Sequence, residues 1–309
     1  MGRYVIRRLL QMIPVFIGTT LLIFIAVYAL PGDPVRGLFG DKTPTAAQLT
    51  SLRHEYGLDK PIFVQYLHYM WNMVAHLDFG TQIASGRPVT DILGDAFPVT
   101  IRLAVLALVL EIVFGITLGV ISGMFAGKLL DQAILVLTLL FIAIPVFVLA
   151  FLIQTSILLP SGLPQNVNND NDIGQMLAPA AVLATASLAY VTRLTRGTFV
   201  ENRRADYMRT AVAKGLPRRR VIGVHLMRNS LIPVVTFLGT DLGALMGGAI
   251  VTEKAFNIKG VGGTIAESIT RREGTTLVGL VTILVLVYLL CSLLVDLLYA
   301  VLDPRIRYA

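Results

Sequence analysis

The chain has 309 residues, 26 of them Lys or Arg and 19 Asp or Glu, so 15% are charged and the net charge is +7. An average soluble domain is about one-quarter charged, whereas here 55% of residues are hydrophobic and the mean hydropathy is +0.73. This excludes a disordered chain and a disulfide scaffold and argues against a soluble enzyme, because so little charge cannot cover a globule of this length.

A helix needs about 20 mainly apolar residues to cross a bilayer. Six stretches meet that requirement: 9–30, 101–126, 129–159, 177–194, 231–251 and 277–301. The pattern predicts an all-α polytopic membrane protein with both termini on one side. The segments on the side of the termini carry sixteen Lys and Arg against nine in the longer loops opposite. The positive-inside rule therefore places the termini in the cytoplasm. The net charge reflects this asymmetry and does not point to nucleic acid.

The first span ends on Val27-Tyr28-Ala29, which resembles a signal cleavage site, but its apolar run exceeds the usual ~7–15 residues, so a retained helix is expected. The outer loop 31–100 is long. Thr45 is placed to cap a helix over 46–56 that Gly57 would end, and Pro61 suits the start of another. That second helix gathers Phe63, Tyr66, Leu67, Tyr69, Met70, Trp71 and Val74. Two readings stand open for it: a packing cap over the bundle, or a docking platform for an outer partner.

In the second span Gly115, Gly119, Gly123 and Gly127 recur every four residues, a ridge for close helix packing. Glu111 lies in the same span, with Arg102 or another helix as its expected partner. The third span is long enough to tilt or to bend at Pro145. Asn168, Asp170 and Asp172 in the next loop alternate like calcium ligands. Ile173 stands where an EF-hand loop needs Gly and no closing Glu follows, so a polar turn is expected. The fifth span carries Gly239, Gly243 and Gly247 with Asp241 between them, a candidate lining for a solute path or a packing seam. Asp296 lies near the inner end of the sixth span, where Arg305 or water can satisfy it. Cys291 in that span is the only cysteine, so no intrachain disulfide forms.

Segment 195–230 is long for an inner loop. It carries eight basic residues after Arg196 against Glu201 and Asp206. It reads as two short helices, 203–214 and 218–228, with Gly215 at the left-handed position after the first and Pro217 opening the second. Basic residues alone would suit binding to anionic membrane lipid.

The residue order says more. Asp206-Tyr207-Met208-Arg209-Thr210-Ala211-Val212-Ala213-Lys214-Gly215-Leu216 resembles the cytoplasmic coupling loop of ABC importer permeases in its peptide-branch form. Arg228-Asn229-Ser230-Leu231-Ile232-Pro233-Val234-Val235, Leu30-Pro31-Gly32-Asp33-Pro34, Tyr56-Gly57-Leu58-Asp59-Lys60-Pro61 and Asp303-Pro304-Arg305-Ile306-Arg307 resemble the same branch, in order along the whole chain. The protein is similar to the dipeptide/oligopeptide ABC importer permeases, of the subunit type with the long first outer loop.

The resemblance implies a non-catalytic pore subunit of the bacterial cytoplasmic membrane. It implies a second homologous permease, one or two ABC ATPase subunits that bind ATP and Mg, and an extracytoplasmic solute-binding protein. It implies that residues 1–309 form one permease domain, with 31–100 as an extracytoplasmic helical loop, and that 195–230 dock on an ATPase. Gly215 would permit the tight turn, and Ala211 and Ala213 would keep the knob slim. Tyr207 and Leu216 would anchor it, and Arg209 and Lys214 would pair with ATPase acids; Asp206 and Thr210 complete the set. Relatives of this kind carry dipeptides, longer peptides, nickel chelates or haem. At Arg209-Thr210-Ala211 the sequence differs from ABC importers in general, which have an acid and two alanines, but this form is usual in the peptide branch. The sequence departs from the family in the last outer loop, at Lys259-Gly260 and Arg272-Glu273-Gly274-Thr275.

No phosphate-cradling motif is present: Gly123–Leu129 has the wrong glycine spacing and ends in Leu. Histidines 54, 68, 76 and 225 form no zinc pattern, and no nucleophile elbow occurs. A proton-driven secondary transporter using Asp241 or Glu111 is the main alternative, although no internal repeat supports it. A membrane-embedded hydrolase lacks a catalytic pair.

Overall fold

The computed structural model describes residues 2–28, 45–55 and 59–302, all helix and connection apart from one isolated bridge between Thr81 and Pro88. The motifs at 30–34, 56–58 and 303–307, the stop at Gly57 and the partner Arg305 lie outside the described residues.

Helix α1 (Gly2–Tyr28) packs on the last helix, α14 (Gly274–Leu302). The long loop contributes α2 (Ala46–Glu55) and α3 (Ile62–His76). Thr45 Oγ1 accepts from Gln48 N at 3.4 Å while Gln48 Oε1 accepts from Thr45 N at 3.0 Å, a reciprocal cap at the start of α2. The aromatic residues of α3 divide between two faces. Tyr66, buried, hydrogen-bonds Thr20 Oγ1 at 2.9 Å and packs with Phe24 and Val278, and Tyr69 and Met70 join that cluster. Phe63, Leu67, Trp71 and Val74 are exposed on the other face. One stripe is therefore a packing cap and the other is open.

Helix α4 (Val89–Leu110), a π-helical turn (Glu111–Gly115) and α5 (Ile116–Met124) form one continuous span. Helices α6 (Leu129–Ala143) and α7 (Val146–Ile153) follow; α7 runs into a second π-helical turn (Gln154–Leu158), and the two halves of this span meet at 103°. The cause of the bend is local: Pro145 forces Ile144 into extended backbone (φ −84°, ψ 123°), so the helix stops and restarts. Helix α8 (Ile173–Arg203) is the central post, touching α4, α5, α6, α7 and α12.

The elbow follows: α9 (Asp206–Ala213), then α10 (Arg218–Arg220), a third π-helical turn (Val221–Leu226) and α11 (Met227–Ser230), which run on as one arm. The predicted start of its first helix at 203 is too early. Nothing breaks α8 before Arg203, and the chain turns at Arg204 and Ala205, whose N–H groups bond the carbonyls of Glu201 and Asn202. Helix α12 (Ile232–Ala255), α13 (Val261–Arg271) and α14 complete the bundle. Among the described residues, four helices are long and apolar enough to cross a membrane, and counting each of the bent pairs 129–158 and 218–247 as one span raises this to six. That agrees with the six stretches read from the sequence.

Candidate functional site

The elbow owes its shape to one residue. Gly215 has φ +73°, where a side chain is strained, and its Cβ position is open. Pro217 precedes the second arm with φ −63°. The elbow has its own small core, in which Met208, Ala211, Val221 and Leu226 close on Phe199 of α8. Tyr207 Oη donates to Asn202 Oδ1 at 2.8 Å, and Leu216 packs on the same cluster. Thr198 Oγ1 donates to the Ser230 carbonyl at 2.9 Å, tying the second arm to α8. Tyr207, Ala211 and Leu216 thus hold the elbow to its stem. Asp206, Arg209, Thr210, Val212, Ala213 and Lys214 are exposed. Arg209 and Asp206 pair at 3.5 Å with side chains 81% and 94% exposed, which adds little stability. A cavity of about 900 Å³, bordered by Met124, Arg203, Arg209, Val212 and Arg218, lies between the elbow and the ends of α5 and α8.

Beside the elbow is a buried ion pair that sequence reading missed. Arg196 Nε and Nη2 donate to the two carboxylate oxygens of Asp131 at 2.6 and 2.7 Å. Ser122 Oγ at 2.5 Å and Gly127 N at 2.7 Å donate to the same group. The Asp131 side chain is 2% exposed and that of Arg196 28%. The available signal was an acid two residues into an otherwise apolar run, just after the Gly127-Lys128 turn, with an arginine where another span leaves the bilayer.

At mid-bundle the candidate path residues separate. A Cβ on Gly239 would meet Val295 Cγ2 at 2.8 Å, and one on Gly243 would meet Tyr288 Cδ2 at 3.1 Å, so both are seams against α14. Gly247 has open space at its Cβ position. Asp241 is buried and accepts from Ser187 Oγ of α8 at 3.1 Å. Glu111, fully buried in its π-helical turn, interacts with Asp241, and neither of its oxygens has a hydrogen-bond donor. It does not pair with Arg102, which sits nine residues, roughly 13 Å of helix, further along and donates to Asn171 Oδ1 at 2.5 Å. Gly115, Gly119 and Gly123 meet Val191, Thr195 and Phe199 of α8, as a packing ridge should, whereas Gly127, the fourth of the predicted ridge, lies in the turn after α5 at φ +81° with nothing near its Cβ position.

The far end of the bundle holds another buried acid, also missed because it sits in a Thr252-Glu253-Lys254 run at a span end. Glu253 accepts from Thr100 Oγ1 and Gly263 N, both at 2.7 Å, and Thr100 Oγ1 in turn accepts from Val261 N at 2.8 Å. The first N–H groups of α13 are thereby satisfied and the helix is pinned to α4. Glu273, one of the departures from the family pattern, is buried and accepts from Gln82 Nε2 at 2.6 Å. In the polar loop Asp172 caps α8, accepting from Gly174 N at 2.9 Å, and Asn169 Oδ1 accepts from Asn171 N. Its oxygens serve the turn, and no metal-binding group occurs among the described residues.

Residues 115–308 match the family described as binding-protein-dependent transport system inner membrane component, and residues 1–104 match its N-terminal counterpart. The chain is 36% identical over 338 aligned residues to the dipeptide transport system permease protein DppB of Escherichia coli (strain K12), covering all of this chain and 99% of that one. It is 36% identical over 308 residues to the glutathione transport system permease protein GsiC of the same strain and 35% identical to GsiC of Salmonella typhi, with both chains covered in full. The chain therefore belongs to the family of binding-protein-dependent transport system inner membrane components, as a multi-pass, non-catalytic ABC permease of the cytoplasmic membrane.

Proposed function

We propose that this chain forms one part of the pore of an ATP-driven importer for dipeptides or oligopeptides, with residues 195–230 as the loop through which an ATPase drives it. Both termini and the elbow lie in the cytoplasm, and residues 31–100 lie outside. A second homologous permease completes the pore, one or two ATPases bind ATP and Mg below it, and a solute-binding protein delivers cargo. The observation that carries the reading is the elbow: a compact knob, fixed to the end of α8 by its own core, that presents Arg209, Val212, Ala213 and Lys214 outward. A loop that passes on force must be stiff and must keep a free face; the elbow's own core and its exposed residues support that reading.

The named cargoes of the relatives, dipeptide and glutathione, favour a peptide over haem or a nickel chelate. The path residues kept for this reading are Asp241 and Gly247. The competing reading, proton-driven transport, rests on the buried Glu111–Asp241 contact.

Affinity purification from native membranes in mild detergent, with mass spectrometry and an ATPase assay, separates the two. The expected eluate contains a second permease and phosphate-loop ATPases, and Gly215→Arg abolishes ATP-driven uptake. A chain that elutes alone and moves solute in proteoliposomes without ATP overturns the reading.

A further inference from the structure

We propose that Asp131 and Arg196 are positioning residues that make the elbow, α5, the elbow-side half of α8 and the first turns of α6 into one rigid lever. This rests on the coupling role of the elbow proposed above.

Three contacts build the lever. The elbow is fixed to α8 through Phe199 and the Thr198–Ser230 bond. Helix α5 cannot slide on α8: at Gly119 even a methyl group would lie 2.7 Å from the Thr192 carbonyl oxygen. Helix α6 has no such seam. It is joined to α8 by polar ties, Arg193 Nε to Thr138 Oγ1 at 3.2 Å and the doubly bonded Arg196–Asp131 pair. Asp131 collects four donors from three elements, so it fixes α6 in position and in rotation.

The lever has two edges. One is the π-helical turn Glu111–Gly115, and the other is the 103° break at Ile144–Pro145. Motion of the block is absorbed there. Without the ion pair, a push on the elbow would carry α8 and α5 but leave α6 behind.

A pair that served folding alone would not hold distances constant through the transport cycle, so distances are the test. In the assembled importer with Cys291→Ser, spin labels are placed at Lys128→Cys beside the pair, Arg220→Cys on the elbow and Lys259→Cys at the far end, all three exposed. The 128–220 distance is expected to be the same in nucleotide-free and ATP-trapped states while the 128–259 distance changes. A 128–220 distance that changes as much as 128–259 overturns the lever, and this measurement needs no pair variant to fold.

In Asp131→Asn, uptake per ATP hydrolysed is expected to fall by about tenfold with hydrolysis held within about twofold, and the 128–220 distribution to broaden. Arg196→Lys keeps the charge but loses the two-point contact and is expected to fall between. An Asp131→Asn importer with unchanged uptake per ATP overturns the lever alone. An importer that purifies without an ATPase overturns the coupling reading and the lever with it.

Discussion

Two glutamates, both fully buried, show how differently the ends and the middle of this bundle are built. Glu253 has a donor for each oxygen: the Thr100 hydroxyl on one and the Gly263 N–H on the other. Glu111 has none, and the group it meets is a second acid, Asp241, whose Oδ2 is also without a donor. A buried polar group with its hydrogen bonds complete fixes one arrangement, and one without them favours none. The far end is therefore tied by paired hydrogen bonds and the elbow end by Asp131 and Arg196, whereas the middle, where the span turns π-helical, holds two acids without a full set of donors. In the importer proposed above, this order of stiffness is the one that the lever requires.

The largest expected effect tests the locked end. Glu253→Ala leaves the Thr100 hydroxyl and the Gly263 N–H buried without an acceptor and frees the start of α13. A destabilisation of about 3 kcal/mol is expected, read as a lower Tm of the purified complex. Gly260→Ala comes next, because its new methyl group would run into the Glu253 carboxylate. About 2 kcal/mol is expected from this overpacking. A Tm within experimental error of the parent for both variants would show that Glu253 is not a lock.

The middle should respond oppositely. Glu111→Gln keeps the shape and supplies an N–H that Asp241 can accept. Its stability, read as Tm, is expected to hold or to rise by up to about 1 kcal/mol, because no hydrogen bond is lost. A fall as large as that of Glu253→Ala would erase the contrast between the two acids.

The sequence made the spans, the bend at Pro145 and the elbow readable, because each depends on local signals: apolar run length, a missing N–H, and a glycine followed by a proline. The glycine ridge of the second span was readable for the same reason. Which charges meet was not. Asp131 and Arg196 are 65 residues apart and Thr100 and Glu253 are 153 apart, and nothing in either local pattern names the partner. Glu111 shows the converse: its charge was conspicuous, but the nearest basic residue along its helix, Arg102, proved to be bonded at the far end. The face of α3 was misgrouped because all seven apolar and aromatic residues look alike until α1 and α14 select Tyr66, Tyr69 and Met70.

The smallest expected effect lies on α12, where three glycines of equal spacing do different work. Gly239 and Gly243 sit against α14, so a methyl group there must displace Val295 or Tyr288. Gly247 meets nothing, and in a helix an exposed glycine is less favourable than alanine by roughly 0.5–1 kcal/mol. Gly247→Ala is therefore expected to raise stability by about that much, whereas Gly239→Ala lowers it. The sign of the first change, measured as Tm, separates packing from free surface. If Gly247 also lines the solute path, Gly247→Leu will reduce uptake while Tm is kept, because the added bulk fills the passage and strains no helix contact. Unchanged uptake in Gly247→Leu would move the path to another face of α12.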